Sequence, residues 1–109
     1  MINIIHEFTD EQGNSPYAEW LLSLRDARTK AKIIMQVDRM ELGLLGDSGP
    51  IGQGLSELRI HYGPGYRVYY GKVNQNFYLL LCGGNKSTQS RDIKRAKVHW
   101  QHYQRRTWQ

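Results

Sequence analysis

Two runs of strand-forming residues, Leu55–Tyr62 and Tyr66–Val73, flank a Gly63-Pro64-Gly65 turn. That hairpin constrains the fold of the chain more than any other segment. Alternation along the first run puts Glu57, Arg59 and His61 on one face and Leu58, Ile60 and Tyr62 on the other. Each run carries one arginine, Arg59 or Arg67, among apolar and aromatic neighbours. An unpaired guanidinium is costly to bury, so two of them on adjacent strands point to an anion site. A structural ion pair of either arginine with Glu57 satisfies the same cost, and the sequence leaves both readings open.

The rest of the chain supplies partners for the hairpin. Ile2–Phe8 reads as a short first strand. Ser15-Pro16 reads as a helix start, with Ser15 as N-cap and Pro16 in the first turn. Tyr17, Trp20, Leu21 and Leu24 then recur on one helical face. A second stripe, Ile33, Val37 and Met40, ends at Gly43, a helix stop. Two helices so closely joined form a hairpin. Leu45–Gly54, with four glycines and Pro50, reads as a loop. Phe77–Cys82 is apolar on both faces and should be a central strand covered on both sides. A last helix starts near Ser90. Its apolar stripe is Ile93, Ala96, Trp100 and Tyr103, and its polar face carries Arg91, Lys94, Arg95 and Lys97. The order is β-α-α-β-β-β-α, an α+β pattern.

The chain has 109 residues, which sets a single domain over 1–109. Residues 1–56 hold five Lys/Arg against eight Asp/Glu, a charge of −3, and residues 57–109 hold ten against two, a charge of +8. This asymmetry points the second half at a polyanionic or acidic partner. Cys82 is the only cysteine, which excludes a disulfide framework; inside Leu79-Leu80-Leu81-Cys82 it reads as a small core residue. No signal peptide pattern and no run of membrane-spanning length are visible, so a cytoplasmic, membrane-free chain is expected.

The segment Gly83-Gly84-Asn85-Lys86-Ser87-Thr88-Gln89-Ser90-Arg91-Asp92-Ile93 follows the hairpin. With this order and spacing the two clusters resemble the toxins of bacterial type II toxin–antitoxin modules. The resemblance is to the RelE/ParE superfamily and, within it, to HigB-like addiction module killer proteins. It covers nearly the whole chain and is strongest from Gly52 to Ala96. It implies a RelE-like α+β fold in which a helical hairpin and a C-terminal helix pack on a small, mainly antiparallel sheet. It also implies a ribosome-dependent mRNA endonuclease (an mRNA interferase) that inhibits translation. The implied partners are a cognate antitoxin, the ribosome and mRNA. An acidic or amphipathic antitoxin segment would cover the basic face. No metal and no cofactor are called for.

In relatives that cleave RNA, an arginine on this strand is catalytic, and the resemblance places that role on Arg67 in Gly65-Tyr66-Arg67. Arg59, in Glu57-Leu58-Arg59, also falls on the family pattern. A guanidinium fork holds phosphate bidentately and offsets charge as it builds in a transition state. Lys86 stands where the family places a basic residue near substrate. Cleavage by a 2′-OH also needs proton transfer, for which His61, Tyr69 and Lys86 are the candidates. Some RNA-cleaving relatives supply Tyr or His from the C-terminal segment, where Ile93 stands here. The catalytic set is therefore Arg67, Arg59, Lys86 and His61, with Arg91, Lys94, Arg95 and Lys97 binding RNA. The departure at Ile93 favours the alternative of a ParE-like gyrase inhibitor without nuclease activity; a non-catalytic RNA-binding module is a third reading.

Three further motifs carry less. Gly84-Asn85-Lys86-Ser87 lacks the glycines of a phosphate-binding P-loop, since Asn85 and Leu80 occupy their places. His99 and His102 have an H-x-x-H spacing, but a metal site needs a third ligand. Trp108, with Arg105 and Arg106, suits base stacking, or equally a frayed basic tail.

Overall fold

The computed structural model describes residues 2–108, with side chains through residue 106. The elements are β1 (Ile4–Glu7), α1 (Pro16–Ser23), α2 (Ala27–Glu41), β2 (Asp47–Gly52), β3 (Leu55–Ile60), β4 (Tyr66–Asn74), β5 (Phe77–Asn85) and α3 (Gln89–Trp108), with a 3-10 turn at Lys86–Thr88 before α3. The strands form one sheet in the order β1-β5-β4-β3-β2. β1 runs parallel to β5, and every other pair is antiparallel. The fold is thus α+β, with a five-stranded mixed sheet and three helices.

The helix starts are those the sequence encodes. Ser15 accepts the Ala18 N–H, with Pro16 in the first turn, and Asp26 accepts the N–H groups of Arg28 and Thr29; both satisfy amides that a helix end leaves open. Gly43 follows the α2 C-cap at φ 82°, a conformation that favours glycine.

One face of the sheet is covered by α1 and α2, the other by α3. Tyr17, Ile33, Val37 and Met40 pack on Leu58, Ile60, Val68, Tyr70, Tyr78 and Leu80. Opposite them, Ala96 and Trp100 pack with Phe8, Leu55, Tyr69, Leu79, Leu81 and Cys82. β5 lies between β1 and β4 and is buried along nearly its whole length, as its apolar run implies.

The register slips between Tyr69 and Tyr70, which pair with Cys82 and Leu80. Leu81 is the extra residue of a bulge, so Leu81 and Cys82 both enter the α3-side core. Beyond the bulge, Gly83 faces α1 and Gly84 faces α3. A Cβ on Gly83 would lie 2.2 Å from the Trp20 ring, and one on Gly84 would collide with the Asp92 carboxylate. The glycine pair is therefore a packing requirement on both sides of one strand.

The main correction is β2. The glycine-rich stretch Leu45–Gly54, read as a loop, contains an edge strand paired with β3. Pro50 lacks an amide donor, which an edge strand tolerates because it pairs on one side only. Gly52, Gln53 and Gly54, at φ 95°, 58° and 82°, turn the chain into β3. The order is accordingly β-α-α-β-β-β-β-α. The first strand is shorter than Ile2–Phe8, β3 stops at Ile60 rather than Tyr62, and β5 runs past Cys82 to Asn85.

Candidate functional site

Arg59 and Arg67 are direct cross-strand partners, Arg59 is opposite Asp47 on β2, and Arg67 is opposite Gly84 on β5. The row Asp47, Arg59, Arg67, Gly84 therefore crosses four strands near one end of the sheet. Like charges directly opposite on a sheet repel, and the surroundings show what holds them. Glu57, two residues from Arg59, accepts from Arg59 Nε at 3.0 Å and lies 3.4 Å from Arg67 Nε. The Arg67 contact is an ion pair without hydrogen-bond geometry, since Arg67 Nε makes no hydrogen bond. Gln89 at the start of α3 donates to Glu57 Oε1 at 3.1 Å. The Glu57 side chain is 5% exposed, against 14% for Arg67 and 31% for Arg59. One buried carboxylate thus ties two arginines and the start of a helix together.

The edge strand completes the corner. Arg59 Nη1 donates to Asp47 Oδ1 at 3.0 Å, and Asp47 Oδ2 lies 2.6 Å from His61 Nε2. The hydrogen bond from His61, and then that from Arg59, holds the Asp47 carboxyl below the usual carboxylate range. Asp47 in turn is the main reason that Arg59 keeps its proton more firmly than a free arginine. Gly49 makes room for this arrangement: a Cβ there would lie 2.6 Å from Arg59 Nη2. His61 lies past the end of β3 with its side chain 73% exposed. Its contact with Asp47 is through Nε2, which leaves Nδ1 on the other side of the ring.

The helix α3 brings a second carboxylate to the same end. Asp92 is fully buried beside Gly84 and accepts from the Thr88 hydroxyl. Arg91 Nε and Arg95 Nη1 lie 3.5 and 3.8 Å from Asp92 Oδ1. Lys86 is exposed, its N–H donating to the Gly65 carbonyl at 3.0 Å, which fastens the 3-10 turn to the hairpin turn. Lys86, Gln89 and Arg91 line an open concavity of about 420 Å³.

The structure therefore brings Arg59, Arg67 and His61 into one corner, and sets Lys86, Arg91 and Arg95 around the start of α3. Lys94 and Lys97 lie farther along the helix; Lys94 is exposed, and Lys97 approaches the Gly52 turn, where a Cβ would sit 3.7 Å from its Nζ. Tyr69 pairs across the sheet with Glu57 and is fully buried. Burial above all, then Glu57 and Asp92, pushes its phenol far above the ordinary range. Ile93 packs on the α3-side core. Burial pushes the Cys82 thiol up to about 12, in keeping with an inert core residue. His99 stacks on Phe8 at 4.9 Å, and no metal-binding cluster of three His, Cys, Asp or Glu occurs among the described residues. The side chain of Trp108 lies outside the described residues.

The sequence reading treated Asp47 as loop and overlooked Gln89 and Asp92. One signal was available. Residues 57–109 hold only two acids, Glu57 and Asp92, and both are buried, at 4% and 0% exposed. Isolated carboxylates in a strongly basic stretch are candidates for organising the cations around them.

No protein-family model matches the chain. Over 82 residues it is 46% identical to an uncharacterized protein of Haemophilus influenzae, a match that spans 75% of this chain and 83% of that one. No helix among the described residues is long and apolar enough to cross a membrane.

Proposed function

We propose that this chain, which belongs to one family with the Haemophilus influenzae protein, is the toxin of a type II toxin–antitoxin module of the RelE/ParE kind. In this reading it cleaves mRNA on the ribosome. The observation that supports it is the corner where β2, β3 and β4 bring Arg59, Arg67 and an Asp47–His61 pair together. Arg59 and Arg67 would hold the scissile phosphate and meet the charge that builds on it. His61, oriented through Nε2 by Asp47, would move the proton at Nδ1, in the manner of a carboxylate-held imidazole. Lys86 and Arg91 would bind the flanking backbone, with affinity that falls as salt rises.

Induction in growing bacteria, followed by mapping of mRNA ends, tests the reading. Cut transcripts are expected with the parent chain, and Arg67→Ala should slow cutting by roughly 10²–10³. Intact transcripts in arrested cells would refute nuclease action.

A second reading, gyrase inhibition of the ParE type, is favoured by two features of α3 and β4. The family's C-terminal proton donor is replaced by Ile93 in the core, and Tyr69 is buried. Gyrase-linked DNA breaks with intact mRNA would establish that alternative.

A further inference from the structure

Lys30, Ile34 and Asp38 follow one another at four-residue intervals in α2, so they form one row along the helix. The row reads positive, apolar, negative, with Ile34 midway and about 12 Å between its charged ends. Ile34 is 43% exposed, Asp38 is exposed and Lys30 is half-buried. Among the described residues neither Lys30 nor Asp38 has an ion-pair partner within the chain. The core stripe Thr29, Ile33, Val37 and Met40 lies to one side of the row, and Arg28, Lys32 and Arg39 lie to the other. Beside the row, on the β1 flank, is a concavity of about 260 Å³. Ile5, Leu21 and Ile34 line it together with Glu7, Asp38 and Glu41, and no Lys or Arg does.

We propose that this row pairs with the same row of a second copy of the chain, in a two-fold contact between antiparallel α2 helices. The pattern is its own complement when reversed. Turned end for end about Ile34, Lys30 of each copy meets Asp38 of the other, and Ile34 meets Ile34. A two-fold axis requires a surface that fits itself. A row of one sign, such as Arg28, Lys32 and Arg39, would instead repel its copy. The commonest packing of two helices sets such four-residue rows side by side, crossing at about −50°. Antiparallel pairing also brings the N-terminal half of one α2, with Lys30, to the C-terminal half of the other. There Asp38 and Glu41 stand against the dipole of their own helix. β1 and β2 are opposite edges of the sheet, so pairing on the β1 flank leaves the arginine corner of β2, β3 and β4 open. A contact built on one helix and its flank falls at the small end of specific interfaces, so the dimer is reversible and salt-sensitive. Pairing of this kind does not depend on the proposed function.

Sedimentation of the full chain at low salt, over a concentration series reaching several hundred micromolar, tests the pairing. The parent should pass reversibly from monomer to dimer, and less readily as salt rises. Lys30→Asp and Asp38→Lys should each weaken the dimer about tenfold or more, since each puts two like-charge contacts into it. An equimolar mixture of the two variants should associate, because each supplies the charge that the other lacks. The double variant, Lys30→Asp with Asp38→Lys, should recover the parent's dimer. Lys32→Asp, at an exposed position on the far flank of α2, should leave the dimer in place. Circular dichroism checks each fold, and a general loss of stability cannot imitate rescue. A parent that stays monomeric throughout would overturn the proposal. So would single variants that dimerise like the parent, equal weakening by Lys32→Asp, or a folded mixture or double variant that fails to associate.

Discussion

Glu57→Gln is the most informative single change, because among the described residues Glu57 is the one carboxylate that pairs with both arginines. It removes a charge from a side chain that is 5% exposed and leaves Arg67, 14% exposed, facing a neutral amide. Breaking a buried ion pair costs about 3–5 kcal/mol. Two features lower that here. Arg59 is 31% exposed and keeps its bond to Asp47, and glutamine still offers an acceptor oxygen to Arg59 Nε. A loss of about 2 kcal/mol follows, which for a domain of this size lowers the melting temperature by roughly 8–12 °C.

The same change should raise affinity for anions. With Glu57 neutral, Arg59 and Arg67 face each other across the sheet with Asp47 as the remaining carboxylate beside them. Phosphate that binds only the folded chain stabilises it by RT ln(1 + [L]/Kd), about 1.4 kcal/mol at ten times Kd. Thermal unfolding in phosphate and in chloride at matched ionic strength reads both effects. The Glu57→Gln chain should melt lower than the parent in chloride and recover more of the difference in phosphate. A variant as stable as the parent, to about 0.5 kcal/mol, or equal phosphate shifts in both chains, would refute the view that Glu57 holds the pair.

Three further outcomes are expected. Gly83→Ala should destabilise by about 3 kcal/mol, since its Cβ would lie 2.2 Å from the Trp20 ring and the packed neighbour must move; in a Trp20→Leu background the same change should cost much less, and an additive double-mutant cycle would refute the clash. Burial, then Arg95 and His102, holds the His99 imidazole below its ordinary value, so the unfolded chain binds a proton that the folded chain resists. That stability is fully present above about pH 6.5 and is lost as pH falls toward the lower folded value; His99→Phe should flatten unfolding curves in this window, and an unchanged slope would count against it. If the chain cleaves RNA as proposed, Asp47→Asn should shift the pH profile of that cleavage and slow it by about as much as His61→Gln, with little added loss in the double variant; strictly additive effects would separate the two residues.

Most of the fold was legible because local signals agreed with the tertiary structure. Ser15-Pro16, the Ile33/Val37/Met40 stripe and the apolar run in β5 each satisfy one rule in sequence and one in space. β2 was not legible. Its glycines and proline are turn residues by composition, and the strand exists because β3 offers an edge and because Gly49 leaves room for Arg59. The Gly83-Gly84 pair was equally opaque, since its reason lies with Trp20 and Asp92 on opposite faces of the sheet. The spacing puts Arg59 on one face with Glu57 and His61 and sets Arg67 on the neighbouring strand, but their direct pairing and their surroundings depend on register and on contacts from β2 and α3, which no spacing along the hairpin records.

An arginine tied to a buried carboxylate is not thereby spent. A guanidinium carries its N–H donors in a fixed fork, and Glu57 takes only the Nε side of each. Arg59 Nη1 goes to Asp47, while Arg67 approaches Glu57 through Nε alone. A carboxylate that grips the Nε edge fixes the plane and direction of the fork without using its far end. That orientation limits the side-chain entropy lost when a phosphate arrives. The ion pair and the anion site, the two readings of Arg59 and Arg67 that the sequence held open, are therefore compatible in one arrangement. A lysine at either position would keep a charge for Glu57 but has no fork to give a phosphate.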